Sequence, residues 1–145
     1  MKMLIVYYSY SGITAKIAKT LAENRRGADL FEVRDVERPS VFKAYTAGCA
    51  AALKWKCWPV EALPPNMEQY DLITIMAPVW AGKPAPEINN VFEALPAGKK
   101  IEVLMVSTSG KSSCEQHIKE MLSKKGCVLV RFRNVREKLA KQLDG

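Results

Sequence analysis

The segment Ser9-Tyr10-Ser11-Gly12-Ile13-Thr14 has the composition of a loop that binds an anion. It follows the short apolar run Met3–Tyr8 and precedes a helix-like pattern that begins at Ala15. A strand that turns through such a loop into a helix leaves unpaired backbone N–H groups at the helix start, where the helix dipole is positive. The segment therefore predicts a binding site for a phosphate group.

Two common phosphate-binding sequence motifs are absent, which limits the classes of phosphate compound that the segment could bind. The segment contains neither G-x-x-x-x-G-K-[ST], which cradles nucleoside triphosphates, nor G-x-G-x-x-G, the dinucleotide fingerprint. An alternative is that Ser11 or Thr14 only caps the helix. One hydroxyl would suffice for a cap, whereas the loop has three, on Ser9, Ser11 and Thr14, so the phosphate site is favoured.

Two further segments have small or hydroxyl-bearing residues that let a backbone approach a ligand closely. They are Pro78-Val79-Trp80-Ala81-Gly82 and Ser107-Thr108-Ser109-Gly110. Trp80, between a proline and a glycine, is not typical of a strand and suggests an aromatic wall for a flat conjugated ligand. The alternative is a partly buried tryptophan that covers the edge of a sheet. Trp55 and Trp58 are expected to pack their own loop onto the domain.

The three segments follow strand-like runs in a chain that alternates strands and helices. Five runs have the composition of strands: Met3–Tyr8, Asp29–Arg34, Leu72–Ala77, Ile101–Val106 and Cys127–Phe132. Helical spacing follows each of them, in Ile13, Ile17 and Leu21; in Phe42, Thr46, Cys49 and Leu53; in Ile88, Val91, Phe92 and Leu95; in Cys114, Ile118, Met121 and Leu122; and in Val135, Leu139 and Leu143.

This alternation predicts an α/β fold. Because most strand runs are continuously apolar, we expect a doubly wound, five-stranded parallel sheet between two layers of helices, in a single domain spanning residues 1–145. Ligands of such sheets bind beyond the carboxyl ends of the strands, where the strand order reverses. The three segments follow the first, third and fourth predicted strands, so we expect them to meet there.

Together the three segments resemble those of the flavodoxin-like FMN proteins. The residues that carry the resemblance are Ser9–Thr14 and Ala77–Gly82, with Pro86 downstream and Ser107–Gly110 at a fitting distance. The resemblance covers nearly the whole chain and implies the strand order 2-1-3-4-5. The second segment looks like that of family members described as oxidoreductases.

The resemblance also implies a cofactor, FMN, and the residues that would bind it. The phosphate contacts would fall on the first segment, the isoalloxazine ring would rest against the second, and the third would border the pyrimidine edge of the ring. The implied cofactor-binding residues are Ser9, Tyr10, Ser11, Gly12, Ile13, Thr14, Ala77, Pro78, Val79, Trp80, Ala81, Gly82, Thr108, Ser109 and Gly110. No catalytic residue and no metal ligand is implied.

The implied function is electron transfer, either as a carrier or as an oxidoreductase that acts on a small acceptor such as a quinone. NAD(P)H is a candidate donor, although no sequence feature binds it. Carriers of this family are commonly very acidic and often have a tyrosine in the third segment. This chain has a net charge of +7, and Lys111, Ser112 and Ser113 occupy that neighbourhood. These departures favour the oxidoreductase.

Two other function classes are possible for this fold. A flavin-free interaction module of the same fold would bind acidic partners through the C-terminal third, because residues 99–145 hold 11 Lys and Arg against 5 Asp and Glu. A phosphoacceptor domain needs clustered carboxylates at the ends of the first and third strands to hold Mg²⁺. Those ends are Tyr8-Ser9 and Ala77-Pro78, so this class is set aside.

The composition of the chain indicates its cellular compartment and argues against some ligands. The chain has no apolar run of the roughly 20 residues needed to span a bilayer, and the run after Lys2 is too short for a secretory leader, so we expect a cytoplasmic protein. Four cysteines outside any C-x-x-C pair and a single histidine, His117, argue against zinc and favour reduced thiols. Cys57, in a predicted loop, is the candidate for reactivity. The basic residues lack interleaved aromatic residues, which disfavours nucleic-acid binding.

Overall fold

One sheet organises the chain, and its strand order is the expected one. The computed structural model describes residues 1–138. Its strands are β1 (Met3–Tyr8), β2 (Asp29–Val33), β3 (Leu72–Trp80), β4 (Lys83–Pro84), β5 (Lys100–Ser107) and β6 (Val128–Arg136). The order across the sheet is β2-β1-β3-β5-β6 with all neighbours parallel, while β4 pairs antiparallel with the end of β3. For the five parallel strands, the order 2-1-3-4-5 is confirmed.

The helices lie between the strands. They are α1 (Ile13–Asn24), α2 (Val41–Lys43), α3 (Cys49–Leu53), α4 (Pro86–Ala94) and α5 (Glu115–Lys124). A π-helical turn, Ala44–Gly48, joins α2 to α3, and a short 3₁₀ turn, Met67–Gln69, precedes β3. None of the helices within residues 1–138 combines the length and the apolar character that a membrane crossing requires.

The buried strand residues face helices on both sides of the sheet. Along β1, Leu4, Val6 and Tyr8 belong to one core cluster, which also contains residues of α4 and α5. Ile5 and Tyr7 point the other way, into a cluster with α1. Because successive side chains of a strand alternate between faces, the continuous apolar run of β1 fills both layers. The predicted three-layer α/β/α arrangement is confirmed.

Two strands end several residues beyond their predicted ends. β3 continues through Pro78 to Trp80, so the first part of the second segment is strand and not loop. It continues because Val79 and Trp80 pair with Pro84 and Lys83 of β4. β6 extends to Arg136, so Val135 lies in this strand and not in a last helix. The other residues of that predicted helix, Leu139 and Leu143, lie outside the described residues.

The segment from α2 to α3 buries a different face from the predicted one. Phe42 is 77% exposed and Leu53 is 56% exposed, while Ala44, Gly48 and Ala52 are buried. The reason is steric: a Cβ atom on Gly48 would lie 2.7 Å from Trp80 Cζ3. Only small side chains let this segment approach the Trp80 ring, so the small residues face inward and the larger ones face solvent.

Candidate functional site

The three predicted segments meet at one edge of the sheet. They follow β1, β3 and β5, which are adjacent strands, and all three end at the carboxyl edge. The ring of Tyr10 lies 5.8 Å from that of Trp80, which joins the first segment to the second. The backbone N–H of Ser113 donates to the carbonyl oxygen of Gly82 at 2.8 Å, which joins the second segment to the loop after β5. The strand order reverses between β1 and β3, so this edge is the switch point of the sheet.

The first segment presents an open helix start. Gly12 has φ 95°, in the left-handed region that favours glycine, and its N–H donates to Ser9 Oγ at 3.0 Å. No side chain within residues 1–138 caps α1, so the cap interpretation of Ser11 and Thr14 is wrong. The backbone N–H groups of Ile13, Thr14 and Ala15 have no acceptor among residues 1–138, and the next one, that of Lys16, donates to the Gly12 carbonyl oxygen at 3.2 Å. These donors converge where the helix dipole is positive.

A basic side chain that sequence reasoning missed stands beside this loop. The Arg38 guanidinium lies 4.1 Å from the centre of the Tyr10 ring and donates to the Tyr10 carbonyl oxygen at 3.1 Å. The Tyr10 hydroxyl donates to the carbonyl oxygen of Pro39 at 2.8 Å. The segment after β2 therefore holds the first segment in place and adds a positive charge next to it.

Trp80 ends β3 and stands at the centre of the site. A tight turn at Ala81 and Gly82, both with positive φ, reverses the chain into β4. We call Val79–Pro84 the Trp80 hairpin. The Trp80 ring is half-buried, and it meets the edges of Tyr8 and Tyr10 at centroid distances of 6.1 and 5.8 Å. The tryptophan therefore does cover the sheet edge, and part of its surface remains open.

The loop after β5 is a compact turn. Ser107 Oγ accepts hydrogen bonds from the backbone N–H groups of Gly110 and Lys111, at 2.9 and 3.2 Å. Thr108 and Ser109 are exposed at its tip. Gly110 has φ 71°, and a Cβ atom there would lie 2.7 Å from Arg136 Cγ, so a glycine is needed at this position.

Two of the predicted site residues cannot offer their side chains to a ligand. Ala77 and Thr14 are buried, at 1% and 3% exposure, so any contact they make would come from the backbone. The other predicted residues of the three segments are exposed or half-buried.

A cavity of about 300 Å³ lies beside the Trp80 hairpin, and we call it the hairpin cavity. Its walls come from Tyr10 of the first segment, from the helical segment that begins at α2, and from the hairpin itself. The helical segment contributes Val41, Ala44, Tyr45 and Cys49. Sequence reasoning missed these residues. The signal that could have indicated them is the apolar group Val41, Phe42 and Tyr45, which has no place on the buried face.

A buried acidic pair lies behind Trp80, and sequence reasoning missed it as well. Tyr8 donates a hydrogen bond to Asp35 Oδ2 at 2.7 Å. Burial, followed by the neighbouring Asp35 carboxylate, raises the pKa of Glu87 to about 8. Burial also raises the pKa of Tyr8. Asp35 Oδ1 and both carboxyl oxygens of Glu87 are buried without a hydrogen-bond partner among the described residues. A proton held by Glu87 at neutral pH would satisfy this pair.

The thiols are unpaired, and the histidine stacks on a tryptophan. All four cysteines are in the described region and are free. Burial, reinforced by Glu93, raises the pKa of Cys57 to about 11, which disfavours its predicted reactivity. His117 is an exposed residue of α5 whose ring stacks on Trp55 at 3.9 Å. Residues 1–138 contain no group of three or more His, Cys, Asp or Glu side chains suited to a metal ion.

Comparison with solved protein structures identifies the fold. No family model and no curated protein matches the chain. Among solved structures, a flavoprotein from Lactobacillus acidophilus NCFM in complex with FMN is similar, with a TM-score of 0.74, 23% identity, and coverage of 99% of this chain and 96% of that one. A flavodoxin from Streptococcus pneumoniae TIGR4 has a TM-score of 0.56 and 14% identity, over 99% of this chain and 98% of the other.

A third similar structure is an NADPH-quinone reductase from P. pentosaceus, with a TM-score of 0.61 and 12% identity. The similarity covers 96% of this chain and 87% of the reductase. The chain therefore has the flavodoxin-like fold, which the three segments indicated from the sequence.

Proposed function

We propose that this protein binds FMN and transfers electrons, acting on a small acceptor or a redox partner. The observation that carries the proposal is the meeting of an open helix start, an aromatic hairpin and a compact hydroxyl-bearing turn at the switch point of the sheet. The similar Lactobacillus acidophilus flavoprotein holds FMN, which supports the same cofactor here. Bound FMN would supply the electron chemistry, and the protein would position it.

The first segment fits the phosphate end of FMN. The phosphate would accept hydrogen bonds from the unpaired N–H groups at the start of α1 and from the exposed hydroxyl of Ser11. The left-handed turn at Gly12 aims these donors at one point. Arg38, fixed on Tyr10, would add attraction for a group that is near a dianion.

The second and third segments fit the ring end. Pro78, Val79 and Gly82 would line one side of the isoalloxazine ring, with Trp80 supporting the hairpin from behind. Thr108 and Ser109, exposed beyond the turn that Ser107 stabilises, would border the pyrimidine edge. The backbone hydrogen bond from Ser113 to Gly82 ties the loop after β5 to the second segment, so the ring would meet a preformed surface.

We assign the acceptor to the class of small quinone-type molecules and keep NAD(P)H as the candidate donor. The basic character of the chain supports this over a carrier role, because carriers of this fold are commonly acidic. Four free thiols, two of them buried, suit a reducing compartment, so the proposal places the protein in the cytoplasm.

A titration with FMN tests the proposal. Purified protein is expected to be yellow, or to quench the fluorescence of added FMN with a one-to-one end point. Loaded protein is then supplied anaerobically with NADH or NADPH and a quinone, and pyridine-nucleotide oxidation is followed by absorbance. A colourless protein that leaves FMN fluorescence unchanged contradicts the proposal.

The second candidate function is a flavin-free interaction module. It is favoured by the edge strand β6, on which Arg131, Arg133 and Arg136 are exposed. An acidic partner would bind this face by charge, so raising the salt concentration should weaken a pull-down with acidic bait proteins. Binding that is insensitive to salt rejects the electrostatic module.

A further inference from the structure

The hairpin cavity and the loop after β5 contact different residues of the Trp80 hairpin. The loop after β5 contacts Gly82 and Lys83 through Ser113, whose N–H donates to the Gly82 carbonyl oxygen and whose own carbonyl oxygen accepts from Lys83 Nζ at 2.8 Å. The cavity is lined instead by Val79, Trp80 and Ala81 of the hairpin, together with Tyr10 and the helical segment that follows β2. An FMN ring between the second and third segments would therefore leave the cavity open.

The walls of the cavity are aromatic and uncharged. Tyr10, Tyr45 and Trp80 form three of its sides, and its lining within residues 1–138 includes no ionised side chain. The two basic side chains near the cavity contact aromatic rings and do not line it. Arg38 stacks on Tyr10 and bonds to its carbonyl oxygen, and the Lys43 ammonium lies 5.7 Å from the centre of the Trp58 ring. Such a lining favours neutral flat molecules over ions.

The shape of the cavity is set by the π-helical turn. The turn brings Gly48 against the Trp80 ring, which fixes the distance between the helical segment and the hairpin. Tyr45, in the same turn, is 77% exposed and stands at the open side of the cavity. π-Helical turns occur frequently at functional sites, because the extra residue redirects a side chain.

The size of the cavity limits the ligand. A cavity of about 150 Å³ holds one benzene ring, so the hairpin cavity of about 300 Å³ has room for two fused rings. We propose that it binds a neutral, planar, two-ring aromatic molecule of the naphthoquinone class. The role of this ligand as an electron acceptor rests on the proposed function, whereas its binding does not require FMN.

The chain offers a matched pair of variants for the test. Phe42 and Tyr45 are both 77% exposed and lie on the same helical segment, but only Tyr45 lines the cavity. The probe is 2,3-dimethyl-1,4-naphthoquinone, which has no open quinone position for addition of the Cys49 thiol. It is titrated into FMN-free and FMN-loaded protein, and binding is followed by backbone amide shifts in NMR spectra.

We expect the shifts to cluster at Val41, Ala44 and Cys49, which line the cavity, and the Tyr45→Ala variant to bind at least about fivefold more weakly. The Phe42→Ala variant should bind the probe within about twofold of the unchanged protein, because Phe42 does not line the cavity. Saturating FMN should alter the affinity for the probe by less than about threefold, because bound FMN would leave the cavity walls in place. Absence of binding, or equal losses in both variants, overturns the inference; the second result points to a protein-docking face.

Competition between FMN and the probe also overturns the inference, because it identifies the cavity as the seat of the FMN ring. That result leaves FMN binding intact. Conversely, if FMN does not bind at all, the proposed function fails while the titration of FMN-free protein still decides the cavity. The two failures are thus separated by the same experiment.

Discussion

The hydroxyl group of Tyr8 donates a hydrogen bond to Asp35 Oδ2, while the ring of the same tyrosine meets Trp80 edge-on at 6.1 Å. This contact links the central hairpin of the candidate site to a carboxylate that lies after β2. The Asp35 carboxylate also neighbours Glu87, at the start of α4, and helps to raise the pKa of Glu87. Three elements that end or begin at the same sheet edge therefore share one buried polar cluster behind Trp80.

The first prediction concerns Glu87 and pH. Burial raises its pKa in the folded protein to about 8, well above the ordinary value of 4.5. Between these two pH values the folded chain binds a proton that the unfolded chain does not, so the free energy of unfolding must fall as the pH rises through this range. The difference between wild type and Glu87→Gln should change by about 1.4 kcal/mol per pH unit at most.

Urea unfolding at several pH values from about 5 to about 9 measures this difference. Glu87→Gln keeps the shape of the side chain and cannot ionise, so it should become the more stable protein at the alkaline end. Asp35→Asn is the companion variant, because it removes the charge that acts on Glu87. Parallel pH profiles for wild type and Glu87→Gln would show that Glu87 is ionised throughout.

The second prediction concerns the phosphate loop and uses two glycines with similar backbones. Gly12 and Gly27 have φ 95° and 84°, and a Cβ atom at either would meet no atom of the described residues within 4 Å. Valine at either position should cost about 1–3 kcal/mol of stability, because both backbones are left-handed. Only Gly12 lies at the start of α1, so only Gly12→Val should weaken FMN binding, by at least about tenfold, since its side chain would block the phosphate.

Fluorescence titration of FMN into both variants, at a temperature where both are folded, separates the local effect from the loss of stability. Gly27→Val should keep the affinity of the unchanged protein. If Gly12→Val binds FMN as well as Gly27→Val does, the phosphate is bound elsewhere.

The third prediction concerns Gly48. Alanine normally stabilises a helix relative to glycine by roughly 0.5–1 kcal/mol, because it restricts the unfolded chain. Here the added Cβ atom would lie 2.7 Å from the Trp80 ring, which is held by Tyr8 and Tyr10, so overpacking of about 1–3 kcal/mol should outweigh that gain. Ala47→Ser is the control, because Ala47 is exposed in the same turn.

Thermal unfolding and tryptophan fluorescence report the result for Gly48. The variant should melt at a lower temperature, and its emission should shift as Trp80 moves, while the control should change neither. A Gly48→Ala protein that melts higher than wild type would show that the ring moves aside without cost.

Local patterns predicted the sheet well, because its strands are specified by their own residues. β1 has the predicted bounds Met3–Tyr8, and the helical residues Ile88, Val91, Phe92 and Leu95 are buried as their spacing indicated. Such runs bury their apolar side chains in any arrangement that covers both faces of the sheet. The meeting of the three segments followed from the same topology.

The rest of the site depends on contacts between distant parts of the chain. Trp80 belongs to a strand because β4 returns to pair with it, and Ala44 and Gly48 face inward because Trp80 stands opposite them. The pKa of Glu87 is raised by its burial in the assembled core and then by Asp35, which comes from another strand end. None of these three contacts produces a periodic pattern of apolar residues in the sequence. Each can therefore be recognised only in the folded structure.

The fourth prediction concerns the contribution of Trp80 to FMN binding. The Trp80→Ala variant should bind FMN roughly two- to tenfold more weakly, because Trp80 supports the hairpin against which the ring would rest through aromatic contacts with Tyr8 and Tyr10, each worth about 0.5–1.5 kcal/mol beyond the area it buries. Trp80 also holds Tyr10 of the phosphate loop and packs on Gly48, so its loss should loosen both ends of the site. Trp80→Phe should restore part of the affinity, because a smaller ring still supports the hairpin.

The control for Trp80 is Trp55→Ala, which removes a half-buried tryptophan that stacks on His117 and lies outside the three segments. It should lower the melting temperature without changing the dissociation constant for FMN, measured by fluorescence quenching. Equal affinities in Trp80→Ala and in wild type would place the ring away from the hairpin. In that event the phosphate loop alone would hold the cofactor, and the Gly12→Val titration would still report its position.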